Sequence, residues 1–159
     1  MSIQYVQGDI LLTTARVLCV DFNARGQPEA TALHTRLAYD YPAAFAAFRK
    51  HTRNNGVKPG TWWLWREATP WLGLLIVRET SSGASRLRYV EAAAQQLLMA
   101  ASLEGVTRIA LQMPGTPPEW PSLREPLDFW LKPARLQVVV YEGHLPGRRA
   151  PENWNHGPL

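Results

Sequence analysis

Strand-like and helix-like segments alternate along these 159 residues, which predicts an α/β protein: a three-layer α/β/α sandwich around a mixed central sheet. Three observations carry this. Short apolar runs (Val17-Leu18-Cys19-Val20, Ile109-Ala110-Leu111, Val138-Val139-Val140) have the pattern of strands buried on both faces. A long segment repeats apolar residues at three- and four-residue intervals (Leu87, Val90, Ala94, Leu97, Leu98, Ala101), the stripe of a surface helix. Two further strand-like runs, Thr61 to Trp65 and Leu72 to Val77, are joined by a turn at Ala68-Thr69-Pro70.

In chain order, residues 3–7 alternate apolar and polar side chains and read as the first strand. Residues 17–21 read as the second. After a polar turn from Asn23 to Pro28, Ala30 to Tyr39 favours helix. Pro42 breaks it and opens another, Ala43 to Thr52, because proline is tolerated in a first turn. Asn54-Asn55-Gly56 is a stop signal. Ser85 is the expected N-cap of the long helix, which runs to Glu104 and closes at Gly105. A strand (Arg108 to Gln112), a loop (Met113 to Pro121), a helix (Ser122 to Leu131) and a last strand (Leu136 to Tyr141) follow.

The length suits one domain, expected over residues 1–145, which needs no disulfide or metal staple. Residues 146–159, rich in proline, asparagine and glycine, are expected to form a flexible tail. One cysteine, Cys19, within an apolar run, excludes an internal disulfide and any multi-cysteine zinc site. The four histidines lack metal-ligand spacing, so no metal and no cofactor is expected. No apolar run reaches the roughly 20 residues of a membrane helix, and the start lacks a signal peptide's pattern. A soluble cytoplasmic protein is the expectation, its oligomeric state open. The net charge of +4 comes from 14 arginines and 3 lysines against 13 acids. Arg49, Lys50, His51 and Arg53, with Lys58 beyond, could meet a nucleic-acid backbone or simply form a solvated helix end.

The opening, Val6-Gln7-Gly8-Asp9-Ile10-Leu11, is a strand reaching a Gly-Asp-Ile turn; a short apolar strand then ends near Asn23. Asp40-Tyr41-Pro42-Ala43-Ala44-Phe45, Gly56-Val57-Lys58-Pro59-Gly60, Ser85-Arg86-Leu87, Val106 to Leu111 and Val138-Val139-Val140-Tyr141-Glu142 follow in order. Together they cover residues 3 to 143. This series resembles the macro domain family, and within it the DNA ADP-ribosylglycohydrolases of toxin–antitoxin systems. The resemblance implies a pocket for ADP-ribose or a related adenine nucleotide. ADP-ribosylated DNA or protein would be its targets, and the glycosidic link at the distal ribose its bond.

On that resemblance Gly8, Asp9 and Ile10 form the adenine-reading turn, and Asp9 accepts from the adenine amino group. Asn23 is the catalytic candidate, holding the distal ribose or a water. Tyr141 is the aromatic beside the base, Gly115 and Thr116 belong to a phosphate loop, and Arg25 supplies charge. Each also has a plainer reading: Asp9 as a turn cap, Asn23 as strand-end turn chemistry, Tyr141 as edge-of-core packing, Gly115-Thr116 as a tight turn, Arg25 as solvated.

The chain departs from the family at both phosphate loops. Family members carry two asparagines three apart; here Val20 stands at the first position. The following glycine-rich loop is replaced by Arg25-Gly26-Gln27-Pro28-Glu29-Ala30-Thr31-Ala32, where a proline removes a donor and Glu29 repels phosphate. The later loop reads Met113-Pro114-Gly115-Thr116-Pro117-Pro118-Glu119-Trp120, with one glycine and three prolines. A non-catalytic macro fold, binding a protein or nucleic acid as a regulatory module, is therefore the alternative expectation.

Overall fold

The computed structural model describes residues 3–154 and places six strands in one sheet, ordered β1-β6-β5-β2-β4-β3. The strands are β1 (Ile3–Val6), β2 (Val17–Asn23), β3 (Thr61–Trp65), β4 (Trp71–Arg78), β5 (Arg108–Gln112) and β6 (Gln137–Tyr141). Neighbours are parallel except β3 with β4, so the sheet is mixed, as the sequence predicts. β1 runs beside β6, Ile3 opposite Val138 and Val6 opposite Tyr141, so the first and last strands share one edge.

The helices are α1 (Ala32–Asp40), α2 (Pro42–Asn55), α3 (Leu87–Glu104) and α4 (Trp120–Leu131). Strand periodicity of two sorts the core into two layers. Val17, Cys19, Leu75, Val77, Ile109 and Val138 face α3 and α4, meeting Val90, Ala94, Leu97, Leu123 and Leu127. Leu18, Val20, Phe22, Leu74 and Ile76 face α1 and α2, meeting Leu33, Leu37, Phe45 and Phe48. Burial on both faces explains why β2 and β4 read as unbroken apolar runs.

The helix ends follow local chemistry. α1 starts where Thr31 Oγ1 accepts from the His34 N–H at 3.0 Å, a side-chain cap. α3 stops at Gly105, whose φ of 68° is a left-handed cap that favours glycine. The expected Ser85 cap is corrected: α3 begins at Leu87 after Arg86, without a side-chain cap. Ser85 Oγ instead accepts from Arg78, a stronger, charge-assisted partner.

Gly73, on β4, leaves its space to the Trp62 ring from β3; a Cβ there would overlap ring carbons Cη2 and Cζ3. Gly73→Ala is therefore expected to cost about 1–3 kcal/mol by overpacking. Urea denaturation reads this directly, and a loss under about 0.5 kcal/mol would mean the indole moves aside freely.

The expected flexible tail is corrected over residues 146–154. This segment folds back across the open side of β1 and β6, opposite α3 and α4. Ala150 and Trp154 are buried there beside Val6, Val139 and Tyr141. Glu152 accepts from Thr13 Oγ1 and Tyr141 O–H, each at 2.5 Å, and from the Thr14 N–H at 2.9 Å. Trp154 Nε1 donates to Thr14 Oγ1 at 2.9 Å. The tail thus completes the layer that α1 and α2 form on this face of the sheet. Residues 155–159, the remainder of that tail, lie outside the described residues.

Candidate functional site

β2, β4, β5 and β6 all finish on the same side of the sheet. The loops leaving them enclose a cleft of about 680 Å³, lined among others by Asp21, His34, Arg78, Gln112 and Glu119. Open α/β sheets bind ligands at such strand ends.

A buried ionic group forms the wall of this cleft. Arg78 ends β4 beside Asp21 on β2, and its Nη2 donates to Asp21 Oδ2. Its Nη1 donates to Glu29 Oε2 at 2.8 Å. Nε and Nη2 both reach Ser85 Oγ, at 3.3 and 3.0 Å. His34 Nε2 lies 2.7 Å from the Asp21 carbonyl and 3.5 Å from Asp21 Oδ1, and its Nδ1 lies 2.6 Å from Thr31 Oγ1. Burial alone would raise the Asp21 carboxyl. The His34 hydrogen bond, the Arg78 and His34 charges and the Gly115 N–H outweigh burial and hold it down, at about 2. Burial likewise works against a charged His34, but its bond to Asp21 and the Asp21 charge raise it overall.

Four amides of the loops around the cleft are taken by the chain's own side chains. Gly115 N–H donates to Asp21 Oδ2 at 2.9 Å, and Thr116 N–H to Glu119 Oε1 at 2.8 Å. Ser85 N–H donates to Glu119 Oε2 at 2.9 Å, and Ser81 N–H to Gln27 Oε1 at 3.0 Å. A phosphate-binding loop leaves such amides pointing at an anion. Here internal carboxylates and an amide oxygen hold them. Glu119 is partly desolvated, which would raise its carboxyl, yet the Thr116 and Ser85 donors lower it overall. A carboxylate so stabilised is a poor general base.

The residues singled out from the sequence divide between cleft and interior. Gly115 and Thr116 line the cleft. Asn23 is not among the residues that line it. It is fully buried, and all four of its side-chain hydrogen-bond positions are filled within its own loop. Nδ2 donates to Gln27 O and Glu29 Oε2, both at 2.8 Å; Oδ1 accepts from the Arg25 and Gln27 N–H groups at 3.1 and 2.9 Å. Asn23 is the clamp of the β2–α1 loop.

Asp9 is 6% exposed and serves as a cap: Oδ1 accepts from the Leu11 N–H at 3.0 Å and Oδ2 from the Gly147 N–H at 2.8 Å. The folded-back tail covers this turn. Asp9 N–H donates to Arg148 O, and Leu145 N–H to Gly8 O. A Cβ on Gly8 would meet Ala150 Cβ at 2.8 Å and Arg148 O at 2.9 Å, so this glycine is required by the tail's close approach. Ile10 is fully buried. Tyr141 is 1% exposed, its ring in the core and its hydroxyl donating to Glu152. Arg25 is exposed and lies outside the cleft lining; its loop packs on α2, where a Cβ on Gly26 would sit 3.2 Å from Arg49 Cα. Arg25 thereby joins the basic end of α2.

Asp21, His34, Arg78 and Glu119 were not singled out. The signal was present for three of them. Asp21 and Arg78 are lone charges at the ends of apolar runs that are parallel neighbours. Thr116-Pro117-Pro118-Glu119 has the spacing of a capping box ahead of α4, with Thr116 N–H donating to Glu119 Oε1 and Glu119 N–H to Thr116 Oγ1. Among the described residues no group of three His, Cys, Asp or Glu side chains could hold a metal ion. No helix among them is long and apolar enough to cross a membrane.

No family model and no curated protein matches the chain. Solved structures do. The macrodomain of Thermus aquaticus DarG is 21% identical with a TM-score of 0.78, covering 89% of this chain and 98% of that one. The macrodomain of Mycobacterium tuberculosis DarG is 17% identical with a TM-score of 0.80, over 89% and 97%. Thermosipho africanus DarTG, solved in complex with ADP-ribose, is 19% identical with a TM-score of 0.81, over 95% of this chain and 43% of that one. These likenesses establish the macrodomain fold.

Proposed function

We propose that this macrodomain fold is a binding module without hydrolase activity, and that its cleft engages a protein partner. One observation supports the reading above others: the groups an ADP-ribosyl hydrolase of this fold is expected to use are satisfied internally. Asn23 has no free hydrogen-bonding position, Asp9 is held by the tail, and the Gly115 and Thr116 amides face Asp21 and Glu119. A pyrophosphate entering the cleft has to displace two carboxylates and then sit beside them. Among the described residues, the only arginine or lysine lining the cleft is Arg78, and it is already paired twice.

A second reading, binding of ADP-ribose or a related adenine nucleotide, is favoured by the likeness to the Thermosipho africanus protein solved with ADP-ribose. Two assays separate the readings. Incubation with ADP-ribosylated DNA and with ADP-ribosylated protein is expected to release no ADP-ribose. Calorimetric titration with ADP-ribose, AMP and ribose 5-phosphate is expected to give no binding tighter than about millimolar. Micromolar heat with ADP-ribose establishes the second reading, and release of ADP-ribose from either substrate overturns the non-catalytic one.

A further inference from the structure

We infer that the cleft takes a cationic, donor-rich side chain, a guanidinium or primary ammonium presented by the partner; this rests on the binding-module reading. The charge balance points this way. Asp21, Glu29 and Glu119 line the cleft against Arg78 and two histidines, His34 and His144, so it is net negative whenever at least one of these histidines is neutral. Arg78 and His34 are committed to Asp21 and Glu29. Glu119, the least enclosed of the carboxylates, stands between the Thr116 and Ser85 amides.

An independent observation concerns Gln112, at the end of β5. It lines the cleft, is 6% exposed, and donates from Nε2 to Gly143 O at 2.9 Å. Its Oε1 has no hydrogen-bond partner. Among the described residues four buried side-chain polar atoms lack a hydrogen-bond partner, and a second of them, His144 Nδ1, belongs to another lining residue and lies 3.8 Å from Asp9 Oδ1. A buried acceptor without a donor is costly and rare in native proteins. The cleft therefore offers carboxylate and amide oxygens, its Ser81, Ser85, Gly115 and Thr116 amides are consumed, and its unmet demand at Gln112 is for a donor. A guanidinium carries five donors and no acceptor, and an ammonium three and none. A phosphate carries the opposite set.

The test uses ¹H–¹⁵N correlation spectra of the full chain, with N-acetylarginine amide as probe. N-acetylcitrulline amide is its uncharged isostere, and ribose 5-phosphate the anionic control. The arginine probe is expected to shift the Gly115, Thr116 and Gly143 amides and the Gln112 side-chain amide saturably. Its affinity should exceed that of the citrulline probe about tenfold or more and fall with added salt. Glu119→Gln should weaken it by a similar factor. Equal binding of the two probes, shifts caused by ribose 5-phosphate instead, or shifts from none of them overturns the inference. The arginine–citrulline comparison needs no variant, so a poorly folded Glu119→Gln leaves the test intact. Failure of the arginine probe with ADP-ribosylated substrates still uncleaved removes this inference alone; cleavage removes the reading beneath it.

Discussion

Arg78→Met is expected to lower the folding free energy by about 3–5 kcal/mol, the cost of removing one partner from a buried ionic group. The substitution keeps volume and packing but leaves Asp21 and Glu29 without their shared cation, inside a wall where all three side chains are 7% exposed or less. The Asp21 carboxyl, held low partly by Arg78, then rises. Adding Asp21→Asn and Glu29→Gln to Arg78→Met should recover most of the loss, because no uncompensated charge remains. Urea denaturation of the single and triple variants decides the matter. A loss under about 1 kcal/mol for the single variant would mean that solvent reaches the cluster and that it does not hold the cleft together.

Trp154→Ala should cost a similar amount, about 3–5 kcal/mol, which a flexible tail could not produce. The indole is 9% exposed, packs with Ala150 over the β1–β6 edge, and donates to Thr14. Trp154→Phe keeps most of the packing and loses the hydrogen bond, so about 1 kcal/mol is expected. Thermal or urea unfolding of the three proteins separates packing from hydrogen bonding. Indistinguishable stabilities would mean that the segment after β6 is not part of the cooperative core.

Both predictions concern contacts that only folding creates, and the same is true of most contacts that occupy the polar groups of the site. Asp9 and Gly147 are 138 positions apart, Thr14 and Trp154 140, and Asp21 and Arg78 57. Nothing local in Gly8-Asp9-Ile10 indicates that a proline-rich tail will lie across it. Nothing in Val20-Asp21-Phe22 indicates which strand will bring a cation. Asn23 is different: its partners lie two to six residues away, within hearing of sequence reasoning. Ordinary turn chemistry at a strand end accounts for all four of its side-chain hydrogen bonds. Glu29 was legible as a residue hostile to phosphate, and its ion pair with Arg78 gives that hostility a structural use.

The sequence by itself determined the layer architecture. The apolar runs of β2, β4, β5 and β6 dictated central strands, the stripe from Leu87 to Ala101 dictated a helix on one face, and Gly56 and Gly105 dictated where helices end. These are local patterns, written in the periodicity of side chains along a few turns or one strand. Tertiary structure alone decided which polar groups stay free. A hydrogen-bonding atom is available to a ligand only if no distant part of the same chain reaches it first. Here the tail reaches Asp9 and Tyr141, Asp21 and Glu119 reach the loop amides, and Gln112 Oε1 is left without a partner.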